Sequence, residues 1–223
     1  MYMKAQSLRN NEGYSPAEEI AHAVTHGVGA LLSIAGLAVL VIFSAMYGNV
    51  WHIVSSSIYG FTLVLLYSIS TMYHASQNPD IKDVLQKLDH AAIYLLIAGS
   101  YTPFLLVSLH GEWGWTLFAV VWGIAVAGVV MELAVKERRS WISLSLYLGL
   151  GWVIVIPIKP MFASVATGGL LLLLLGGLFY TFGVIFYAWK NLAYSHAIWH
   201  VFVLAGSAFH YFAILHYVIP NHA

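Results

Sequence analysis

The amino-acid sequence predicts an all-α membrane protein, a bundle of seven transmembrane helices with its N-terminus in the cytoplasm and its C-terminus outside. Of the 223 residues, 61% are hydrophobic and 8% are charged, and the mean hydropathy is +0.81. A soluble domain would carry about 25% charged residues. Apolar runs close to the roughly 20 residues that cross a bilayer recur along the whole chain. These runs cover residues 21–46, 51–74, 88–109, 113–134, 141–158, 166–188 and 196–219.

The seven runs account for nearly the whole chain, so a single membrane domain is expected. We assign residues 1–20 to a polar cytoplasmic segment and residues 21–223 to the seven-helix domain. The polar segment lacks the apolar core of a signal peptide, so the first run is expected to remain as the first span. The formal net charge is zero, which argues against a nucleic-acid partner and leaves membrane lipids as the expected partners.

Lys and Arg residues between the spans predict the orientation. Cytoplasmic loops carry an excess of these residues, and here eight lie on one side of the predicted membrane and only Lys159 lies on the other. The eight are Lys4, Arg9, Lys82, Lys87, Lys136, Arg138, Arg139 and Lys190. This asymmetry puts the N-terminus inside and supports an odd number of spans.

The spans after the first have distinguishing features of their own. Trp51, Trp113 and Trp141 begin the second, fourth and fifth spans, as expected for an interfacial aromatic belt. Pro103 lies within the third span, where it should free a backbone carbonyl and bend the helix. The sixth span contains a run of six leucines, 170–175, which we expect to face lipid.

The seventh span begins with the most informative feature of the chain, a pair of histidines four residues apart. His196 and His200 share one helix face, so both imidazoles can reach one ion. Ser70 and His74 form a second pair with this spacing at the end of the second span. Ligating side chains are costly inside a membrane and are candidates for function. Chance and helix packing also produce such pairs, so spacing alone leaves both interpretations open.

The predicted topology puts further polar residues in the same cytoplasmic layer. Asp89 begins the third span, and Glu19, His22 and His26 lie at the start of the first. Three imidazoles and a water match a catalytic zinc site, and the chain has no cysteine to supply thiolate ligands. A carboxylate at the depth of Asp89 could take a proton from water at the metal, and Ser70 could orient a bound group. Iron or manganese would also suit such ligands.

Several motifs together resemble a known family. They are Glu18-Glu19-Ile20-Ala21-His22-Ala23-Val24-Thr25-His26-Gly27, Ser70-Thr71-Met72-Tyr73-His74, Leu88-Asp89-His90, Ala98-Gly99-Ser100-Tyr101-Thr102-Pro103 and Ser195-His196-Ala197-Ile198-Trp199-His200. The chain resembles the hemolysin III family of bacterial membrane proteins, within the progestin and adipoQ receptor superfamily that includes the adiponectin receptors. The motifs appear in family order and cover nearly the whole chain.

The resemblance implies a seven-helix fold with a zinc ion near the cytoplasmic face and a location in the bacterial inner membrane. It implies that His74, His196 and His200 are the metal ligands, that Asp89 reaches the zinc through water and that Ser70 lies beside the site. The chain departs from the family pattern at His22, where the family usually has asparagine. We expect His22, His26 and Glu19 to support the ligands by hydrogen bonding or packing, although His22 could instead be an alternative ligand.

Three functions are compatible with these features. The first is a zinc-dependent hydrolase of lipid amide or ester bonds in membrane lipid homeostasis, which the superfamily's link to ceramide-type hydrolysis weakly implies. The second is a non-enzymatic sensor or receptor-like protein with structural zinc. The third is a hemolysin III-type pore or cytolytic protein, although few charges are embedded. A retinal protein is excluded because no lysine lies within 196–219, and no long repeat supports a transporter.

Overall fold

The computed structural model describes residues 14–135 and 140–219, and these contain helices and loops without a β-strand. The helices are α1 Pro16–Tyr47, α2 Val50–Ala75, α3 Pro79–Pro103, α4 Glu112–Ala134, α5 Ser140–Gly151, α6 Ile158–Ser164, α7 Thr167–Ala188 and α8 Ser195–Tyr217. The predicted all-α class is confirmed. The orientation stays a prediction, and of the residues behind it Lys4, Arg9, Lys136, Arg138 and Arg139 lie outside the described ranges.

Six of these helices are long and apolar enough to cross a membrane. The six are α1, α2, α3 with its continuation, α4, α7 and α8. Helices α5 and α6 make a seventh crossing if they count as one span, and they are bent by 57° at their junction. The described residues therefore contain six or seven candidate spans, in line with the predicted seven.

The fifth predicted span, 141–158, is not one continuous helix in the structure. Helix α5 passes into a 3₁₀ turn, Trp152–Val155, and α6 then starts after Pro157. Proline has no N–H group and its ring clashes with the preceding helical turn, so the helix cannot continue straight. Tyr101 of α3 satisfies the interrupted backbone: its hydroxyl donates to the carbonyl oxygens of Leu150 and Gly151, at 2.9 and 2.6 Å, and accepts from the Ile154 N–H at 3.0 Å.

Two spans begin earlier than their apolar runs predict. Helix α1 begins at Pro16 because Ser15 and Glu18 form a capping box, in which the Ser15 N–H donates to Glu18 Oε2 at 2.8 Å. Helix α3 begins at Pro79, capped by Asn78. These starts are polar, so a search for apolar runs misses them. The predicted boundary at residue 20 consequently falls inside α1.

Pro103 does not end the third span. The chain continues as a π-helical turn, Phe104–Ser108, in which the Leu109 N–H donates to the Phe104 carbonyl oxygen at 2.8 Å. The proline removes one helical hydrogen bond, and the wider turn that follows absorbs the break.

Packing brings four helix ends together on one side of the bundle. Helix α1 packs against both α2 and α8, and α2 also packs against α3. Gly29 permits the close approach of α1: a Cβ atom there would lie 2.7 Å from Leu204 Cδ2 and 2.9 Å from Tyr67 Cδ1. Because α1, α3 and α8 begin where α2 ends, their polar end residues meet in one layer.

Candidate metal centre

Three histidines from two helices converge in this layer. His74 lies in the last turn of α2, and His196 and His200 lie in the first two turns of α8. All three are buried, and one ring nitrogen of each lies within 4.8 Å of those of the other two. The structure thus brings together the three residues predicted as ligands. Their role as ligands stays a prediction.

A carboxylate orients His74. His74 Nδ1 lies 2.7 Å from Glu19 Oε2, and the other oxygen of Glu19 accepts a 2.8 Å hydrogen bond from Lys82 Nζ. This arrangement assigns the proton to Nδ1, because a carboxylate can only accept. Nε2 of His74 is buried with no hydrogen-bond partner in the described part of the chain. A histidine held by a carboxylate on one nitrogen and free on the other is the usual arrangement at protein metal sites.

Helix α1 orients His200 in the same manner. His200 Nδ1 lies 3.0 Å from Thr25 Oγ1 and 3.2 Å from the His22 carbonyl oxygen. The Thr25 hydroxyl donates its own proton to the backbone of the preceding helical turn, so it accepts from the imidazole. Both contacts place the proton of His200 on Nδ1.

His26 packs beside His200. The two rings stack with centroids 3.5 Å apart and an interplanar angle of 8°. His26 Nδ1 lies 2.7 Å from Ser70 Oγ, so the predicted site serine contacts a histidine of α1. Both contacts agree with a supporting role for His26.

The unpaired nitrogens of the cluster test whether these residues fit a metal ion. Five buried imidazole nitrogens of this cluster have no hydrogen-bond partner within the described ranges: both of His22, Nε2 of His26, Nε2 of His74 and Nδ1 of His196. A buried polar group left unsatisfied costs about 1–3 kcal/mol. Neutral imidazole nitrogen is a good ligand for zinc and related divalent ions. The cluster therefore fits a metal ion, which would satisfy several nitrogens at once.

Comparison with known proteins gives the family. Residues 14–211 match the family described as "Haemolysin-III related". The chain belongs to this family. The resemblance predicted from the motifs is therefore confirmed.

Three relatives of this haemolysin III protein cover most of its length. It is 48% identical over 202 residues to "Hemolysin-3 homolog" of Bacillus subtilis (strain 168), covering 91% of this chain and 95% of the relative. It is 45% identical over 204 residues to "Hemolysin-3" of Bacillus cereus, covering 92% and 93%. The human "Monocyte to macrophage differentiation factor" is 30% identical over 216 residues, covering 93% and 88%.

The remaining predicted site residue, Asp89, is buried on α3. In the described ranges, two groups of His, Asp and Glu side chains lie close enough to share one ion, namely His74 with His196 and His200, and His74 with Glu19 and His22. The carboxylate in these groups is Glu19. Action of Asp89 through water stays a prediction.

Two contacts at the site were not found from the sequence. Lys82 holds Glu19, and Thr25 holds His200. Both residues lie in the predicted polar layer, and Thr25 is one helical turn from His22. Their partners are on other helices. The sequence therefore predicts the layer in which these two residues lie, but it does not predict which side chains they contact.

An open cavity of about 980 Å³ lies beside the site, and of the three predicted ligands it is lined by His74. Its lining comes from the start of α1, the end of α2 and the start of α3, and includes Glu19, His74 and Lys82. Ile20 and Val24 add exposed apolar surface on α1. The cavity is thus part polar and part apolar.

Three other histidines, His52, His110 and His210, lie away from this layer. His52 Nδ1 accepts from the Asn49 N–H at the start of α2, and His110 and His210 donate to the carbonyl oxygens of Leu106 and Leu173. His222 lies outside the described residues.

Proposed function

We propose that this membrane protein holds a zinc ion near the cytoplasmic face and hydrolyses amide or ester bonds of membrane lipids. The observation that carries the proposal is the convergence of His74, His196 and His200, with donor nitrogens within 4.8 Å of one another. Three imidazoles leave a fourth position of a tetrahedral ion for chemistry.

Each residue near the site has a role in this proposal. His74, His196 and His200 are the ligands, and Glu19 fixes the ring of His74 through its 2.7 Å contact. A bound zinc ion would polarise the scissile carbonyl and lower the pKa of water to about 7. Asp89 accepts the proton of the attacking water and returns it to the amine or alcohol that leaves. Ser70 orients the substrate.

The cavity supports a lipid as substrate. Its exposed side chains Ile20 and Val24 suit an acyl chain, while Lys82 and Glu19 suit a polar headgroup region. A lipid in this cavity would lie against His74. The excess of Lys and Arg on one side supports a cytoplasmic site, and the bacterial relatives support an inner-membrane location.

Substitution of Asp89 tests the enzymatic proposal. Purified protein is incubated with ceramide, phosphatidylcholine and an acyl ester, and released fatty acid is measured. Asp89→Asn should retain the metal and lose turnover, because the amide cannot accept the proton. Asp80→Asn, an exposed position in the first turn of the same helix, is the matched control and should retain turnover. Full turnover in Asp89→Asn would eliminate Asp89 as the base.

A structural metal in a sensor or receptor-like protein is the second candidate. The full burial of His22 beside the three ligands favours it, because a fourth side chain leaves no place for substrate. This candidate predicts that metal loss destabilises the protein and that no tested lipid is cleaved. Turnover by purified protein would count against it.

Lysis of cells is the third candidate, and the name "Hemolysin-3" of the Bacillus cereus relative favours it. It predicts leakage of dye from liposomes that contain the protein. Leakage that persists in His74→Ala would support a pore independent of the metal, and tight liposomes would eliminate it.

A further inference from the structure

We infer that His22 is a fourth ligand, so that the resting metal centre of this chain is held by four imidazoles. The inference rests on the metal part of the proposed function and is independent of hydrolysis. His22 is fully buried, and neither of its nitrogens has a hydrogen-bond partner in the described part of the chain. A histidine placed only for packing would leave two unsatisfied polar atoms, each at a cost of about 1–3 kcal/mol.

The four rings form a nearly regular tetrahedron. The six distances between the ring centroids of His22, His74, His196 and His200 run from 4.6 to 5.5 Å. The six interplanar angles run from 57° to 69°. A zinc–nitrogen bond of about 2.0–2.1 Å, with the ring centroid about 1.2 Å further out, puts tetrahedral imidazole centroids about 5.2 Å apart. The observed distances bracket this value.

The nitrogens of His22 have to turn before one of them can join those of the other three histidines. At present they group with Glu19 and His74, and Nδ1 lies 3.9 Å from Glu19 Oε2, beyond hydrogen-bond range. The ring centroid lies close to the axis of the Cβ–Cγ bond, so rotation about that bond turns the nitrogens and leaves the centroid in place. This torsion is soft in histidine.

The other candidates for the fourth position are already engaged. Glu19 contacts His74 and Lys82 through its two oxygens. His26 contacts Ser70, and its ring is nearly parallel to that of His200. Parallel stacked rings direct their nitrogens side by side, so they do not converge on one ion. His22 alone among these side chains combines a tetrahedral position with two unpaired nitrogens.

A four-imidazole centre has a chemical consequence. A tetrahedral zinc ion with four protein ligands is the arrangement of structural sites, whereas catalysis needs an open position. If the protein hydrolyses lipids, His22 has to leave the ion when substrate enters. His22 therefore controls whether the centre is closed or reactive.

Counting imidazole ligands tests the inference directly. The wild-type protein, purified without a histidine tag, is loaded with one zinc ion, and imidazole scattering is counted by X-ray absorption. We expect four imidazoles. Cobalt(II) in the same site should give the intense visible bands of a tetrahedral ion with nitrogen ligands. The wild-type count does not depend on the folding of any variant.

Two variants test whether His22 supplies the fourth imidazole in this count. His22→Asn should show three imidazoles and a metal Kd about 10- to 100-fold higher, a range seen even for losses outside the ligands themselves. His26→Asn, one helical turn further along α1, is the matched control and should keep four. Three imidazoles in the wild type, or an unchanged count in His22→Asn, overturns the inference while the proposed function stands. Four imidazoles without turnover on any lipid supports the inference and overturns hydrolysis, and a wild type that binds no metal overturns both.

Discussion

Two buried polar clusters in this bundle differ in whether their hydrogen bonds are complete. Tyr59, Tyr67 and Tyr180 surround Ser207, and we call these four residues the tyrosine cluster. The Tyr67 and Tyr180 hydroxyls lie 2.7 and 2.8 Å from Ser207 Oγ, and the Tyr59 hydroxyl donates to the Ser207 carbonyl oxygen at 3.2 Å. Every hydroxyl in the tyrosine cluster has a partner.

The histidine cluster, formed by His22, His26, His74, His196 and His200, consists of buried residues, and its hydrogen bonds are incomplete. Five of its ring nitrogens have no partner among the residues described. Both clusters join α2 to α8, so both tie the same helices together. The hydroxyls of the tyrosine cluster are paired with protein atoms, whereas the histidine cluster has nitrogens that a metal ion could satisfy. Burial of polar groups alone does not indicate a candidate metal site, but three histidines with one nitrogen each within 4.8 Å of the others do.

Removal of the metal should give the largest change in stability of the three tests, and this change should come from the histidine cluster. A chelator that strips an ion present at 1,000 times its Kd should cost about 4 kcal/mol of stability. We expect a large fall in the apparent Tm of the wild type in detergent, measured at a fixed scan rate. Ser207→Ala should show the same fall, because its metal centre is intact. A wild-type Tm that does not respond to the chelator would show that the histidine cluster is stable by itself.

Loss of the carboxylate behind His74 should have the next largest effect. Glu19→Ala removes the group 2.7 Å from Nδ1 and leaves the ligand set unchanged, so the metal Kd should rise about 10- to 100-fold. Competition with a fluorescent zinc indicator measures this change. Glu112→Ala, exposed at the other end of the bundle, is the control and should leave the Kd unchanged. Equal Kd values for both variants would remove Glu19 from the metal centre.

The smallest effect should come from the tyrosine cluster. Tyr67→Phe removes the 2.7 Å hydrogen bond to Ser207, while Tyr180 still contacts the serine. A loss of about 0.5–1.5 kcal/mol is expected, and each kcal/mol should lower Tm by roughly 2–4 °C. Metal content should not change. A fall in metal content would mean that the two clusters are coupled and that the contrast between them is too simple.

The sequence allowed the general position of the histidine cluster to be predicted, because depth in a membrane follows from counting residues along a helix. His74 ends the second span and His196 begins the seventh, so both fall at the same end of the bundle whatever the helices' rotation. The contacts of Lys82 with Glu19 and of Thr25 with His200 could not be predicted, because they depend on how helices rotate against one another. The position of the His22 ring could not be predicted for the same reason, because the tetrahedron of ring centroids depends on how α1, α2 and α8 pack together.

The fold could be predicted to a similar extent. Apolar runs identify the spans, but α1 and α3 extend into polar turns whose starts depend on capping by Ser15 and Asn78. The break before α6 could have been inferred from Pro157, since proline interrupts a helix. The hydrogen bonds between the Tyr101 hydroxyl and the backbone at this break could not have been inferred, because Tyr101 lies about fifty residues earlier on another helix.

The most direct test of the histidine cluster is the metal content of the purified protein, measured by elemental analysis without a histidine tag. The wild type should contain about one zinc ion per chain, as expected for one tetrahedral centre. His196→Ala/His200→Ala should contain none, while Ser207→Ala should match the wild type. A wild type without metal, or a double variant that retains it, would contradict the account.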